Sequence, residues 1–216
     1  SGAPAIMIQN YSNLTLDGMT VKGGKETCYT LSNNNGDTVI KDSTIVAGQN
    51  ASHGGPFAFD VCRYASYPSV SITVEGNSVI DGCVDVSGAI GEGQSRQLTI
   101  TGGTFSKPIS VSTKPANIAI SGGTFATEIP ADYCAAGYAP TANADGTYGV
   151  KLAEGAYLLQ NYRTGDQASW TYPTKDGMAF AGWYKDASFA TPCAASDVEG
   201  AAYAKFVPIT DLLKFK

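Results

Sequence analysis

The sequence is poor in the residues that metal sites and nucleic-acid surfaces most often use. It contains one histidine, His53, and no Cys-x-x-Cys pair among its five cysteines. Because zinc sites need closely spaced Cys and His ligands, no zinc site and no other cofactor is predicted. The 14 Lys and Arg against 19 Asp and Glu leave a formal net charge of -5. This acidic balance argues against nucleic acid or an anionic membrane surface as the partner.

Long apolar segments are also missing. No run of about 18 apolar residues occurs, so the sequence predicts no transmembrane helix and no insertion into a membrane. No secretory signal peptide is recognisable at the start, where Ser1 and Gly2 stand. Secretion nevertheless stays open, because Ser1-Gly2 need not be the natural start of the protein.

What the sequence does contain is an internal repeat. The stretch Ile100–Phe105 (ITGGTF) returns as Ile120–Phe125 (ISGGTF). Weaker copies begin at Leu16, Ile40 and Val74, so successive copies start 24, 34, 26 and 20 residues apart. Each copy alternates apolar and polar residues, bends at a Gly or Asp, and continues into a second short apolar strand. The alternation places the apolar side chains on one face.

Strands this short cannot bury an apolar face alone, but stacked copies about 4.8 Å apart can. A third strand is predicted after each copy, over 29–31, 57–61, 84–86 and 109–111. The pattern therefore predicts an all-β fold, a short right-handed single-stranded parallel β-helix of about five coils. A ladder of stacked hydroxyl side chains is expected at Thr20, Thr44, Ser78, Thr104 and Thr124.

The repeat stops near residue 150, and aromatic residues become frequent from there on. We expect the β-helix and a C-terminal cap over residues 1–150, with a short helix or turn over 131–138, and a small β domain over 151–216. Four strands are predicted in the small domain, over 156–160, 167–172, 179–184 and 201–207.

The five cysteines stand at Cys28, Cys62, Cys83, Cys134 and Cys193. Their odd number leaves at least one thiol free in a monomer. The first three lie beside the third strand of successive coils. They are interpreted either as a stacked column of buried thiols, which the tendency of free Cys to be buried favours, or as containing one disulfide.

The C-terminal part resembles the Listeria–Bacteroides repeat, the B-repeat of internalin-type surface proteins. The resemblance rests on Met178–Asp186 (MAFAGWYKD) and Ala202–Phe206 (AYAKF), and it covers roughly residues 156–207. The opening Phe-x-x-Asn-Gly-Gly-like strand of that family is absent here. The resemblance implies a β-grasp-like fold and a secreted or wall-attached bacterial protein.

The N-terminal part is similar to the pectin-lyase-like β-helix segments of surface proteins from gut anaerobes. This similarity rests on the two Gly-Gly-Thr-Phe copies, on Cys134–Tyr138 (CAAGY) and on Asp145–Tyr148 (DGTY), and it covers residues 14–150. It implies the fold rather than one activity, because this fold carries lyases, hydrolases, adhesins and stalks.

An enzyme on this fold would need carboxylates on one face, roughly 5 to 9.5 Å apart in a glycoside hydrolase. Asp60 and Asp85 belong to the third strands of neighbouring coils, with His53 and Arg63 nearby in sequence. These four residues are the catalytic candidates. The alternative interpretation is that the carboxylates are simply solvated.

The candidate ligand-binding residues are Tyr64, Tyr67 and Asp81, since exposed aromatic rings stack on sugars. Trp183 and Tyr184 offer a second aromatic pair, whose more favoured interpretation is core packing. Loop Asp and Asn side chains have the oxygens that Ca²⁺ prefers, but no calcium-loop spacing is present, so no metal ligand is assigned.

These observations lead to one main hypothesis, a non-enzymatic extracellular module of a bacterial cell-surface protein. Its role would be adhesion or display, with glycan or a host or bacterial surface component as partner. The alternative is a polysaccharide lyase or glycoside hydrolase acting at the loop side of coils two and three. A spacer without a groove is the third hypothesis, and the oligomeric state stays open.

Overall fold

Three short strands recur in fixed rotation along most of the chain. The computed structural model describes residues 5–212, so the first four residues of the predicted β-helix domain and the last four of the small domain lie outside it. In chain order the first seventeen strands are β1 (Ile6–Asn10), β2 (Leu14–Asp17), β3 (Thr20–Lys22), β4 (Tyr29–Asn33), β5 (Gly36–Lys41), β6 (Thr44–Val46), β7 (Phe57–Cys62), β8 (Ser69–Glu75), β9 (Val79–Asp81), β10 (Cys83–Ser87), β11 (Ser95–Ile100), β12 (Thr104–Phe105), β13 (Ile109–Val111), β14 (Ile118–Ile120), β15 (Thr124–Phe125), β16 (Tyr138–Ala142) and β17 (Tyr148–Leu152).

The first fifteen strands form three sheets, and each pass of the chain adds one strand to each sheet. Sheet A has the order β1-β4-β7-β10-β13, and sheet B contains β2-β5-β8-β11-β14. Sheet C begins β3-β6-β9-β12-β15 and continues through β17 to β16. Neighbouring strands among the first fifteen run parallel, whereas β17 is antiparallel to β15. The all-β prediction is confirmed, with parallel sheets.

The repeat alignment is confirmed in sheet B. Two rows of equivalent residues run in register across its five strands. The rows are Leu14, Thr38, Ile72, Leu98, Ile118 and Leu16, Ile40, Val74, Ile100, Ile120. Most of these side chains are fully buried in one core. Burying a side chain of this size contributes roughly 1.5–3 kcal/mol, so the rows are the main source of stability in these sheets.

The predicted hydroxyl ladder is wrong at one position. Val79, not Ser78, pairs with Thr44 on one side and Thr104 on the other. The third copy has one more residue between its inward apolar position, Val74, and the ladder than the other copies have. Ser78 is instead buried, and its hydroxyl donates to the carbonyl of Glu75 at 2.8 Å.

The bends between sheets B and C have the left-handed backbone that the sequence predicts. Gly18 has φ 64° and Gly76 has φ 64°, and Asp42 takes the place of glycine with φ 45°. The Asp42 carboxylate accepts the backbone N–H of Asn77 at 2.8 Å, which stabilises the stacked bend of the next copy. A residue with a side chain does not fit in place of Gly76, because the added Cβ would lie 2.3 Å from Asp42 Oδ1.

The predicted column of stacked cysteines is wrong. Cys83 pairs with Phe57, which pairs with Tyr29, so Cys28 lies one residue outside that row. Cys62 lies at the other end of its strand, opposite Ser87. All five cysteines are free thiols, and Cys28 is the only one of the five that is fully buried.

The described chain divides into two compact units. The N-terminal unit runs up to Cys134 and includes Pro140–Val150, and the C-terminal unit comprises Ala135–Ala139 and the residues from Lys151 on. A 3-10 turn over Ala131–Tyr133 matches the short helix or turn predicted near this point. No helix within residues 5–212 has the length and apolar character needed to cross a bilayer.

The C-terminal unit contains a four-stranded sheet. Its elements are β18 (Ala156–Leu158), β19 (Met178–Tyr184), β20 (Pro192–Cys193), β21 (Ala201–Pro208) and α1 (Ile209–Leu212). The sheet order is β18-β21-β19-β20, with antiparallel pairs. The strand predicted over 167–172 is wrong, because Gln167–Ser169 form a 3-10 turn. The short β20 was not predicted, since two residues give no alternation to recognise.

Candidate functional site

A groove of about 520 Å³ lies along sheet A, within the N-terminal unit. Its nine lining residues come from four strands and from the segments that follow β4 and β7. They are Ile6, Gln9, Tyr29, Ser32, Asn34, Asp60, Cys62, Tyr64 and Ser87. We call this feature the sheet A groove. It combines amide, hydroxyl and carboxylate groups with two tyrosine rings.

A polar row crosses sheet A beneath this groove. Gln9, Ser32, Asp60, Asp85 and Ser110 occupy equivalent positions on five neighbouring strands. Adjacent strands of a sheet are about 4.8 Å apart, so the two carboxylates are direct neighbours. The structure therefore brings together Asp60 and Asp85, the two catalytic candidates that the sequence placed on neighbouring coils.

Asp60 is 5% exposed and is held by groups of β4. Its Oδ1 accepts the backbone N–H of Asn33 at 2.6 Å, and its Oδ2 accepts the hydroxyl of Ser32 at 3.0 Å. Burial, with a smaller contribution from the nearby Asp85, raises the pKa of Asp60 to about 7, although the two hydrogen bonds oppose the shift. Asp60 therefore changes charge near neutral pH.

Asp85 is also buried, and burial raises its pKa. Hydrogen bonds with Ser87 and Ser112 and the positive charge of Arg96 act in the opposite direction. Arg96 itself is 1% exposed, and its guanidinium donates to the carbonyls of Gly88 at 2.6 Å, Thr113 at 2.8 Å and Pro115 at 2.5 Å. These hydrogen bonds link the loop that contains Gly88 to the loop that contains Thr113 and Pro115. The Nε atom of Arg96 has no hydrogen-bond partner.

Amide side chains continue the polar surface of the groove. Gln9 Nε2 donates to Asn34 Oδ1 at 3.1 Å and to the hydroxyl of Tyr11 at 2.7 Å. Asn33, which is fully buried, donates from Nδ2 to the carbonyl of Asp60 at 3.1 Å. Ser32 and Asn33 belong to β4, where hydrogen bonds with Asp60 satisfy their polar side chains.

Three tyrosines form a cluster at the rim of the groove. The ring of Tyr11 lies 6.3 Å from that of Tyr64 and 5.1 Å from that of Tyr67. Tyr64 is 51% exposed and lines the groove, and Tyr67 is 38% exposed. The structure therefore brings the two predicted aromatic ligand-binding residues together. Tyr11 was missed, since nothing in the sequence near it suggests a site.

Three of the four catalytic candidates, Asp85, His53 and Arg63, are not among the residues that line the groove. His53 is exposed in a 3-10 turn over Ser52–Gly54. Arg63 donates to the carbonyls of Ala65 and Ala89, so its guanidinium binds the backbone of the loops. Neither side chain lines the groove with Asp60, and the arginine whose charge acts on Asp85 is Arg96 instead.

Asp81 belongs to a different region from the tyrosines. It lines a separate groove of about 280 Å³, with Lys107 and Pro56, and its Oδ1 accepts the hydroxyl of Ser106 at 2.7 Å. The three predicted ligand-binding residues therefore do not form one site.

The aromatic pair of the small domain divides between core and surface. Trp183 is 4% exposed and lies in the core of the C-terminal unit, as the more favoured interpretation predicted. Tyr184 packs edge-on against Phe189, with 5.4 Å between the ring centroids. Trp183 therefore presents little ring surface on which a sugar could stack.

Within residues 5–212, no group of three or more His, Cys, Asp or Glu side chains is arranged to hold a metal ion. Comparisons with protein-family models, curated proteins and solved structures find no match for this chain. The family resemblances therefore stay predictions, and the function has to be argued from the groove itself.

Proposed function

We propose that this chain is a non-enzymatic extracellular module of a bacterial surface protein, which binds glycan in the sheet A groove. Its N-terminal unit is proposed to be a short right-handed parallel β-helix of about five coils. The rotation of the chain through three parallel sheets, repeated five times between β1 and β15, supports this architecture.

The C-terminal unit is proposed to be a β-grasp-like B-repeat of the internalin type. Support comes from the pairing of the two motifs that carry the resemblance. Trp183 pairs with Ala204 and Tyr184 with Tyr203, so Gly-Trp-Tyr of β19 lies beside Tyr-Ala-Lys of β21. Surface attachment in bacteria is the setting in which such a repeat is expected.

The composition of the groove is the observation that carries the binding proposal. A tyrosine ring that is half exposed, Tyr64, stands beside the amides of Gln9 and Asn34 and the carboxylate of Asp60. Sugars present apolar ring faces surrounded by hydroxyl groups. Such ligands are matched by an aromatic face next to amide and carboxylate groups that fix their orientation.

A glycan array, with and without Ca²⁺, tests this proposal on the full chain. We expect binding to a defined class of glycans, and Tyr64→Ala is expected to weaken it by about threefold to tenfold because one stacking surface is lost. Tyr172→Ala removes a ring that is 56% exposed in the C-terminal unit and is the matched control. Absence of binding to any glycan, or equal loss in both variants, would contradict the proposal.

A glycoside hydrolase or polysaccharide lyase is the second candidate function. It is favoured by the adjacency of Asp60 and Asp85 in one row, both with raised pKa values. Two carboxylates with different protonation states are what acid–base cleavage of a glycosidic bond uses. Product formation from a glycan that binds on the array, lost in Asp60→Asn, would support this candidate over the binding module.

A further inference from the structure

The sheet A groove has an unbalanced charge. Asp60 is the only one of its nine lining residues that has a carboxyl or a basic side chain. Asp85 lies next to it in the same row. The ion pairs of the described residues, Lys41 with Asp17 and Lys114 with Asp132, involve neither carboxylate.

The nearby cations are directed elsewhere. Arg63 donates to loop carbonyls, and Arg96 uses its guanidinium for the carbonyls of Gly88, Thr113 and Pro115. Arg96 acts on Asp85 through its charge, but it is not a lining residue of the groove. The remaining titratable neighbours of Asp60 are Tyr29, Cys62 and Tyr11, and none of them supplies a positive charge.

We propose that the groove selects protonated amines, and that its glycan ligands carry free amino groups, as oligomers of glucosamine do. The proposal rests on the proposed function and names the class of ligand. An ammonium group would lie against the Asp60 carboxylate. The half-exposed ring of Tyr64 would offer it a π face, because a cation is attracted to the face of an aromatic ring.

The rest of the groove fits the sugar that carries the amine. The amides of Gln9 and Asn34 and the hydroxyl of Ser32 present donors and acceptors for sugar hydroxyls. A carboxylate on the ligand would meet Asp60 with no cation among the lining residues to compensate, so uronic acids are disfavoured. The net charge of -5 acts in the same direction at longer range.

The proposal also predicts that the affinity for the ligand depends on pH. An ammonium ion stabilises the ionised form of Asp60, so the ligand binds best where that carboxylate has lost its proton. Because the pKa of Asp60 is raised to about 7, affinity is expected to increase about tenfold between roughly pH 5.5 and pH 7. A neutral glycan has no such dependence.

The test is calorimetric titration of the full chain with oligomers of glucosamine, of N-acetylglucosamine and of galacturonic acid, matched in length, and with oligolysine. We expect glucosamine oligomers to bind about tenfold more tightly than their N-acetylated counterparts near pH 7. Asp60→Asn should lose this preference and the pH dependence while retaining weak binding of the N-acetylated oligomer. Asp81→Asn, an acid of the separate groove, is the matched control and should change neither.

The possible failures can be told apart. Equal binding of all three sugars with no change between pH 5.5 and 7 would overturn the amine preference while leaving a glycan-binding module. Binding of oligolysine as tight as that of glucosamine oligomers would mean that the ammonium charge acts without the sugar, which overturns the assignment of an amino sugar as the ligand. No binding of any sugar would instead contradict the proposed function. The pH profile of the unmodified protein decides even if Asp60→Asn fails to fold.

Discussion

The two units of this protein build their cores in different ways. The N-terminal unit stacks aliphatic side chains in rows, so that Ile40, Val74 and Ile100 are equivalent members of a repeated pattern. The C-terminal unit packs aromatic rings around one residue, with Tyr162 and Phe180 at 5.7 and 5.2 Å from the ring of Trp183. The rows distribute stability over many similar positions, whereas the aromatic core concentrates it on one.

The carboxylates of the two units also differ, both in their burial and in the direction of their pKa shifts. In the N-terminal unit Asp60 and Asp85 are buried on a strand and have raised pKa values. In the C-terminal unit Asp186 and Asp197 are exposed at turns and have lowered pKa values, because hydroxyl and backbone N–H groups donate to the charged form. In the stacked strands these carboxylates are buried in a row, whereas at the turns of the C-terminal unit they accept hydrogen bonds from backbone N–H groups.

The largest effect is expected from Trp183→Ala. Removing a buried tryptophan typically costs about 3–5 kcal/mol, and a unit of this size has little stability to lose. We expect the C-terminal unit to unfold, which Trp170 fluorescence reports because both tryptophans belong to this unit. The control Phe189→Ala removes a ring that is 38% exposed and should leave the fluorescence transition nearly unchanged. Cooperative unfolding of Trp183→Ala like that of the unmodified protein would break the comparison.

A smaller effect is expected from Ile72→Ala in the N-terminal unit. Ile72 is fully buried between Thr38 and Leu98 of its row, and the cavity left behind should cost about 2–5 kcal/mol. The loss should appear in the circular-dichroism transition and not in tryptophan fluorescence, since the tryptophans report the other unit. Val79→Ala is the matched control, because Val79 is 40% exposed and should cost under about 1 kcal/mol. Equal losses in the two variants would mean that the rows are not the basis of stability.

The smallest effect concerns the pH dependence of the two units. The raised pKa of Asp60, about 7, means that the folded N-terminal unit binds this proton more tightly than the unfolded chain. Its unfolding free energy should therefore fall by a few kcal/mol as pH rises from about 4 to 7, relative to Asp60→Asn. The lowered pKa of Asp186, about 2, has the opposite sign. Its contribution is present above about pH 4 and is lost as pH falls towards 2, relative to Asp186→Asn.

These two pH profiles are measured by denaturant unfolding of the full chain, with circular dichroism and tryptophan fluorescence followed together. The difference between each variant and the unmodified protein isolates one carboxylate from the others. A pH slope of the same sign for both residues would contradict the distinction drawn between buried and capping carboxylates.

Much of sheet B was predictable, because its information is local. Alternation identified Leu98 and Ile100 as inward residues, and the spacing of the copies aligned them with Ile72 and Val74. The same alternation places Arg96 on the inward face of β11, where an apolar residue is expected. Only its three carbonyl partners explain how an arginine is tolerated there.

The site was predictable only in part. Asp60 and Asp85 were singled out as neighbours, and the register confirms that they are adjacent. Tyr11, Gln9 and Ser32 were not identified, because they become part of the site only when β1 and β4 pair beside β7. Asp81 was grouped with the tyrosines, yet it belongs to sheet C and to another groove.

The sequence by itself determined the all-β class, the apolar rows of sheet B and the bends at glycine or Asp42. Each of these follows from the preferences of a few consecutive residues and from a repeat that can be counted. The tertiary structure decided which polar side chains meet, how deeply Asp60 is buried and which tyrosines line a groove. Those properties depend on the register of strands that lie tens of residues apart in the chain, and on the water that their pairing excludes.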